Sequence, residues 1–349
     1  MKHLYKILIA SLVLSLTVMN QAYAGNKDRA GEAGASQLLI NPWAQSNGLG
    51  GSNSAFVKGL EAQFMNVAGI AHTNKLNLVF SQTQWLKGSG TNISAFGLTT
   101  KLGESKGVLA LSIVSMGMGD IPVTTVEQPE GTGSFFSPKL MNINVGYAKA
   151  FSNSIYGGVN IKIISESISN VKSTGVAIDA GIQYVTGRKE NLRFGVALKN
   201  VGPNMSYSGD GLSIRGFVNQ QPNQMTLEQR SALLELPSLI RIGMSYDFYV
   251  NDDNKITPAY TFTANSFTND QHAVGVQYAW SKYLELRVGY VYEKGILDDT
   301  RATALTGPTA GLSLLVPINR EGGLISLDYA YQFSNPYQGS HSIGASIKL

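Results

Sequence analysis

The sequence predicts an all-β protein: a transmembrane antiparallel β-barrel of about 14 strands with a plug-like N-terminal segment and long extracellular loops. Three observations predict it. From residue 76 onward the chain breaks into segments of roughly ten residues in which apolar side chains alternate with small or polar ones. The connections alternate between brief and long, as tight periplasmic turns and extended outer loops require. Charged residues are only 14% of the chain, against roughly a quarter in soluble proteins. Beyond residue 24 no stretch approaches the ~18 apolar residues of a spanning helix, so a membrane form must be a closed barrel, which alone otherwise satisfies every backbone group in lipid.

Taken in order, the chain opens MKHLYKILIASLVLSLTVMNQAYAG. Lys2 and Lys6 precede an apolar run from Ile7 to Val18, and Ala22-Tyr23-Ala24 has the small-x-small form of a cleavage site. Residues 1–24 are expected to be an export signal cleaved after Ala24, on the way to the outer membrane. No cysteine follows, so neither disulfides nor thiolate metal sites stabilise the exported protein. The net charge of +4 falls to about +2 without Lys2 and Lys6, too weak and scattered for nucleic acid.

Residues 25–75 contain NPWAQSNGLGGSNSAF, too polar and glycine-rich to face lipid. Trp43, Leu49, Phe56 and Phe64 call for packing, which favours a plug in the lumen over a loose periplasmic tail. The barrel proper, 76–349, reads as segments 76–86, 91–102, 107–116, 140–151, 154–166, 173–186, 191–200, 238–250, 254–264, 270–281, 283–293, 307–318, 322–333 and 340–349. The connections near 103, 152, 187, 251, 281 and 320 are brief; the third, fifth, seventh and eleventh are expected to be longer.

TGVAIDAGIQY shows the two faces: Val176, Ile178, Ala180, Ile182 and Tyr184 on one side, Ala177, Asp179, Gly181 and Gln183 on the other. In a membrane barrel the apolar side meets lipid, so Asp179 should point into the lumen. Gly146, Gly181, Gly195, Gly243, Gly275, Gly289 and Gly344 share the polar side, where glycine relieves crowding inside a curved wall. Aromatics gather at segment ends, as in Tyr246-Asp247-Phe248-Tyr249 and Tyr290-Val291-Tyr292, and predict two interfacial belts. The final segment, HSIGASIKL, runs to Leu349 and should close the sheet.

Two long outer connections carry the candidate partner-binding residues. Phe135 and Phe136 stand in the otherwise polar stretch 117–139, a folded cap or contact patch. In MTLEQRSALLELP, Thr226 and Gln229 form a capping box, Leu227, Leu233, Leu234 and Leu236 an apolar stripe, and Pro237 a stop, which predicts a short amphipathic helix. Chemistry is sparse. GESKG at 103–107 spells a nucleophile elbow but falls in a turn between strands, and His72, His272 and His341 lack metal-site spacing. No catalytic residue, cofactor or metal site is expected.

GDIPVTTVEQPEGTGSFFSPKLMNINVGYAKAFSNSIYGGVNIKIISESISNVKSTGVAIDAGIQY, FGVALKNVGPNMSY and LPSLIRIGMSYDF together resemble the PorV/PorQ family of the Bacteroidetes type IX secretion system, itself similar to the FadL-type fourteen-stranded fatty-acid transporters. The more specific pieces are Gly119-Asp120-Ile121-Pro122, Asp179-Ala180-Gly181 and Asn200-Val201-Gly202. The family's Asn-Pro-Ala-Gly-Leu reads here as Asn66-Val67-Ala68-Gly69-Ile70. The resemblance implies a non-enzymatic outer-membrane barrel that meets the translocon barrel or the C-terminal domains of secreted cargo, through Phe135, Phe136, Leu227, Leu233 and Leu234. The alternative is a FadL-like passive transporter of hydrophobic small molecules.

Overall fold

A computed structural model describes residues 25–103, 105–217, 223–251, 253–297, 303–318, 323–334 and 337–349. The signal-sequence expectation therefore falls on residues outside that set. Fourteen antiparallel strands close a barrel. They are β1 (Leu76–Gln84), β2 (Asn92–Gly103), β3 (Gly107–Gly117), β4 (Lys139–Ala150), β5 (Ile155–Ile168), β6 (Val171–Thr186) and β7 (Leu192–Val201). The second half comprises β8 (Leu239–Tyr246), β9 (Asn254–Asn265), β10 (Gln271–Trp280), β11 (Leu284–Glu293), β12 (Gly307–Pro317), β13 (Leu324–Gln332) and β14 (Ser340–Lys348). Each strand pairs with its sequence neighbour, and β14 returns to β1 in the register Phe80↔Ala345. Each of the fourteen expected segments overlaps one of them.

The faces are as the alternation demands. Ile178 is 52% exposed and Asp179 3%, in one strand. Phe96, Ile161, Ile242, Val288 and Leu327 continue the outward apolar band, whose hydrocarbon is exposed because lipid is its solvent. Tyr147, Phe151, Tyr246, Phe248 and Trp280 end this band on the short-turn side, and Tyr290, Tyr292, Tyr329 and Phe333 on the other. In bacterial barrels the short turns are periplasmic, which makes the 117–139 and 201–238 connections extracellular.

Two local expectations are corrected. The fifth connection is not long: β5 and β6 extend to Ile168 and Val171, so Ser169 and Asn170 alone make the turn, Ser169 at φ 53°. The strands run on past the bilayer as a projecting hairpin because Ser165, Ser167 and Thr174 keep pairing where hydrophobicity stops. The expected helix in 225–237 does not form. Gln224–Glu228 is a strand paired with Ser213–Phe217, placing Thr226 opposite Arg215 and Leu227 opposite Ile214. Leu236 is buried with Met205, Ile164 and Ala177, and Leu234 forms an isolated bridge to Met205. A helix this short is marginal without a packing face, and here the leucines are divided between a ribbon and the barrel wall.

The N-terminal segment fills the lumen. Its pieces are short: α1 (Ala44–Asn47), α2 (Ala62–Met65) and 3-10 turns, of which the longest is Val67–His72. Trp43, Val57, Leu60, Met65, Val67 and Ile70 form one core with Val79, Ala95, Val108, Ala110 and Ala148 of β1–β4.

Candidate functional site in the plugged lumen

The inward glycines meet the plug. A Cβ on Gly289 would lie 2.6 Å from the Leu49 backbone, on Gly311 2.9 Å from the Gly48 Cα, and on Gly195 2.7 Å from the Ser54 carbonyl. Gly275 faces Ser52, Gly243 faces Ser54, Gly181 faces Asn66, Gly158 faces Val67 and Gly344 faces Ala44. Residues 44–54 thus wind round the inside of the wall from β14 to β7, and glycine is the residue that lets backbone approach backbone. Gly181, Gly195, Gly243, Gly275, Gly289 and Gly344 are on the face that the alternation predicts, and the crowding they relieve is the plug rather than wall curvature.

Asn66 fixes the return. Its Oδ1 accepts from Ala68 N at 3.2 Å, capping the 3-10 turn, while its Nδ2 donates to the carbonyls of Ser54 at 3.2 Å and Ile182 at 3.0 Å. Gly69 is equally constrained, since a Cβ there would stand 2.1 Å from the Val57 carbonyl. Val67 is the first position of this turn, where proline would be favoured but is not required.

Phe64 is held by cations. Lys199 Nζ lies 4.0 Å from its ring centroid and donates to its carbonyl; Arg241 donates to the same carbonyl at 3.2 Å with its guanidinium 5.3 Å from the ring. Behind them Asp179 pairs with Lys162 at 2.8 Å and stands 3.8 Å from Lys199, and accepts from Asn200 N at 2.8 Å. Asn200 sits at a bulge, with φ 59° and a register shift between Ile178 and Ala180, and its amide ties Pro237 and Lys162. Gly202, whose Cβ would stand 2.1 Å from the Val176 carbonyl, keeps the chain against β6, and Tyr207–Ser208 still pair with its Ser173 and Lys172. Asn200-Val201-Gly202 is therefore where β7 gives way to the outer connection. Inward charge in mid-strand was the one sequence signal for this cluster.

The plug separates two cavities. The outer one, about 190 Å³, is walled by Leu39, Ile40, Met65, Trp85, Leu239 and Leu305 and floored by Phe64 and Arg241. The inner one, also about 190 Å³, is lined by Lys58, Arg193, Lys255, Arg287 and Lys348 with Glu61 and Glu285. Burial raises the Glu61 pKa, although its carboxylate accepts from Ser46 N at 2.9 Å and Ser46 Oγ at 2.6 Å. Loss of solvent, with Arg193 and Lys255 nearby, lowers the Lys58 ammonium to about 8. Burial likewise lowers His72 to about 4, where Nε2 meets Gln183 Oε1 at 3.2 Å and the ring packs on Tyr156.

The candidate partner residues are on the rim, in separate elements. Phe135, 64% exposed, and Phe136 pair with Ile121–Pro122 in a small ribbon. Leu227 belongs to the second ribbon, Leu233 is 70% exposed, and Leu234 instead packs on Gly34 of the plug. Ser105 of GESKG lies in the turn between β2 and β3, and among the described residues no group of three His, Asp or Glu side chains could hold a metal.

The architecture has solved counterparts. A TodX monoaromatic hydrocarbon channel mutant matches with a TM-score of 0.54 and 11% identity, over 87% of this chain and 97% of that one. The fold is that of the FadL-type outer-membrane barrels. A FadL homologue from Pseudomonas aeruginosa (TM-score 0.50, 12% identity, 86% and 96% covered) and the CymD monoaromatic hydrocarbon channel (0.50, 14%, 88% and 96%) agree. A FadL-type barrel resides in the outer membrane, where the two aromatic belts place the bilayer boundaries of this one. No family model matches the sequence, and no curated protein matches it.

Proposed function

We propose that the protein is a non-enzymatic outer-membrane barrel that takes small hydrophobic molecules from outside into the cavity above the plug. The carrying observation is that cavity, where Leu39, Ile40, Met65, Trp85, Leu239 and Leu305 stand among Asn41, Thr263, Asn265 and Gln271, with Arg241 and Phe64 on its floor. Named neighbours being hydrocarbon channels supports the substrate class. Arg241, the one charged side chain among the cavity's described lining residues, would favour a ligand with one acidic group beside an apolar body. Movement past the plug then requires the contacts of Phe64 to be exchanged. Dodecanoate titrated against the detergent-solubilised barrel should change Trp85 fluorescence saturably, and Leu305→Arg should abolish the change. An unchanged signal, or one indifferent to Leu305→Arg, would refute the assignment.

A second reading rests on the rim. Phe135, Ile214, Phe217 and Leu233 expose apolar side chains beyond the bilayer on the outer side, which suits docking of the type IX translocon barrel or of cargo C-terminal domains. Export with cleavage after Ala24 belongs to both readings. Pull-down from mildly solubilised outer membranes tests the second: co-recovery of such partners, lost with Phe135→Ser and Leu233→Ser together, is expected, and a barrel recovered alone would sink it.

A further inference from the structure

The inner cavity has the makings of a binding site that the transport reading does not use. Lys58, Arg193, Lys255, Arg287 and Lys348 converge there from the plug and from β7, β9, β11 and β14. Three carboxylates answer them. Asp247 pairs with Arg193 at 2.8 Å and with Lys255 at 3.1 Å, Glu285 pairs with Arg287, and Glu61 is turned to Ser46 and the Gln45 amide within the plug. Glu190 and Asp328 lie near the same groups, and the side chains of Lys58 and Lys348 have neither a hydrogen bond nor an ion pair among the described residues.

A lysine held among like charges in a partly desolvated recess is costly to keep ionised, and the lowered Lys58 pKa registers that cost. Asn53 adds an independent mark. It is 4% exposed, lines the same cavity, and its Oδ1 has no hydrogen-bond partner. A ligand combining negative oxygens for the lysines with a hydroxyl for this acceptor would satisfy both.

We propose that the inner cavity is a phosphate-binding site, in which Lys58 of the plug and Lys348 of the wall supply the charge and Asn53 accepts from the protonated oxygen. The guanidinium groups are already committed to Asp247 and Glu285, so recognition falls to the ammonium point charges, which suit compact phosphate better than a planar carboxylate. The cavity of about 190 Å³ admits inorganic phosphate or the phosphoryl end of a small monoester. Because the site joins plug to wall, an occupied site holds the plug down from the periplasmic side, whatever the outer cavity takes.

The test is calorimetric titration of inorganic phosphate into the full barrel in detergent at pH 7, with chloride held constant, and then of glycerol phosphate. Saturable one-to-one binding is expected, weakened about tenfold or more by Lys58→Gln and by Lys348→Gln, each of which removes a charge-assisted contact. Lys172→Gln, at the exposed opposite end of the barrel, should leave it unchanged. Tighter binding of glycerol phosphate would make a monoester the ligand, and equal or weaker binding the free ion. No saturable heat with either compound, or equal weakening by Lys172→Gln, would overturn the proposal, as would binding that survives both cavity variants in barrels of normal heat-modified gel mobility.

Discussion

Gly289→Ala isolates the role of the glycine lining. Gly289 lies in mid-strand in β11, where alanine ordinarily improves stability by about 0.5–1 kcal/mol because glycine loses more backbone freedom on folding. Its φ is not positive, so alanine suits the backbone. The added Cβ would meet the Leu49 carbonyl carbon and oxygen, both at 2.6 Å, and Thr309 Oγ1 at 2.6 Å. Two of these atoms are backbone of a segment that is itself pressed against Gly275 and Gly311, so it cannot simply back away. Overpacking of this kind costs about 1–3 kcal/mol, and the sign reverses to a net loss of about 1–2 kcal/mol. Gly117→Ala is the matched control, since nothing stands within 4 Å of its Cβ. Urea unfolding in detergent gives the difference, and planar-bilayer conductance reports whether the strain lifts the plug. If Gly289→Ala is as stable as Gly117→Ala and conducts no more than the parent, the glycines do not exist to admit the plug.

Three further outcomes follow from the lumen. Asp179→Asn leaves Lys162 and Lys199 buried without their carboxylate and should cost about 3–5 kcal/mol in the same urea assay. His72 has a folded pKa of about 4 against about 6.5 when free, so the unfolded plug binds more protons. Stability should therefore be full above pH 6.5, decline by about 2–3 kcal/mol as the pH falls to 4, and level below it; His72→Gln should flatten that part of the profile. Phe64→Leu removes the ring that Lys199 and Arg241 cover and should raise the rate at which trypsin cuts the plug, with little change in barrel melting.

The wall was legible because a strand inside a membrane has to alternate: Ile178 and Asp179 announce their faces whatever their neighbours do. Trp43 and Leu49 likewise marked residues 25–75 as packed, and both are buried. The rest depends on contacts between distant residues. Phe64 meets Lys199 across 135 positions and Gly289 meets Leu49 across the barrel, pairings that no local pattern encodes. The helix misreading at 225–237 has the same origin. A capping box and spaced leucines describe a segment alone, whereas Leu227 finds Ile214 and Leu236 finds Met205.

The path of the plug bears on the export signal that the sequence predicts. Gly25 lies at the outer mouth, where its Cβ would touch Thr268 O and Asp270 N at 2.6 Å, and Arg29 covers the Phe267 ring at 4.2 Å while pairing with Glu235 at 3.1 Å. From there the chain descends to Lys58 in the inner cavity before β1 begins at Leu76. Cleavage after Ala24, which the sequence predicts, is expected before β14 closes on β1. The protein recovered from outer membranes should begin at Gly25 by intact mass, and Ala22→Leu with Ala24→Leu, which spoils the small-x-small site, should prevent a heat-modifiable barrel from forming. An uncleaved chain that folds to the same mobility, with its plug equally protected from protease, would show that the plug does not need a free end to reach the outer mouth.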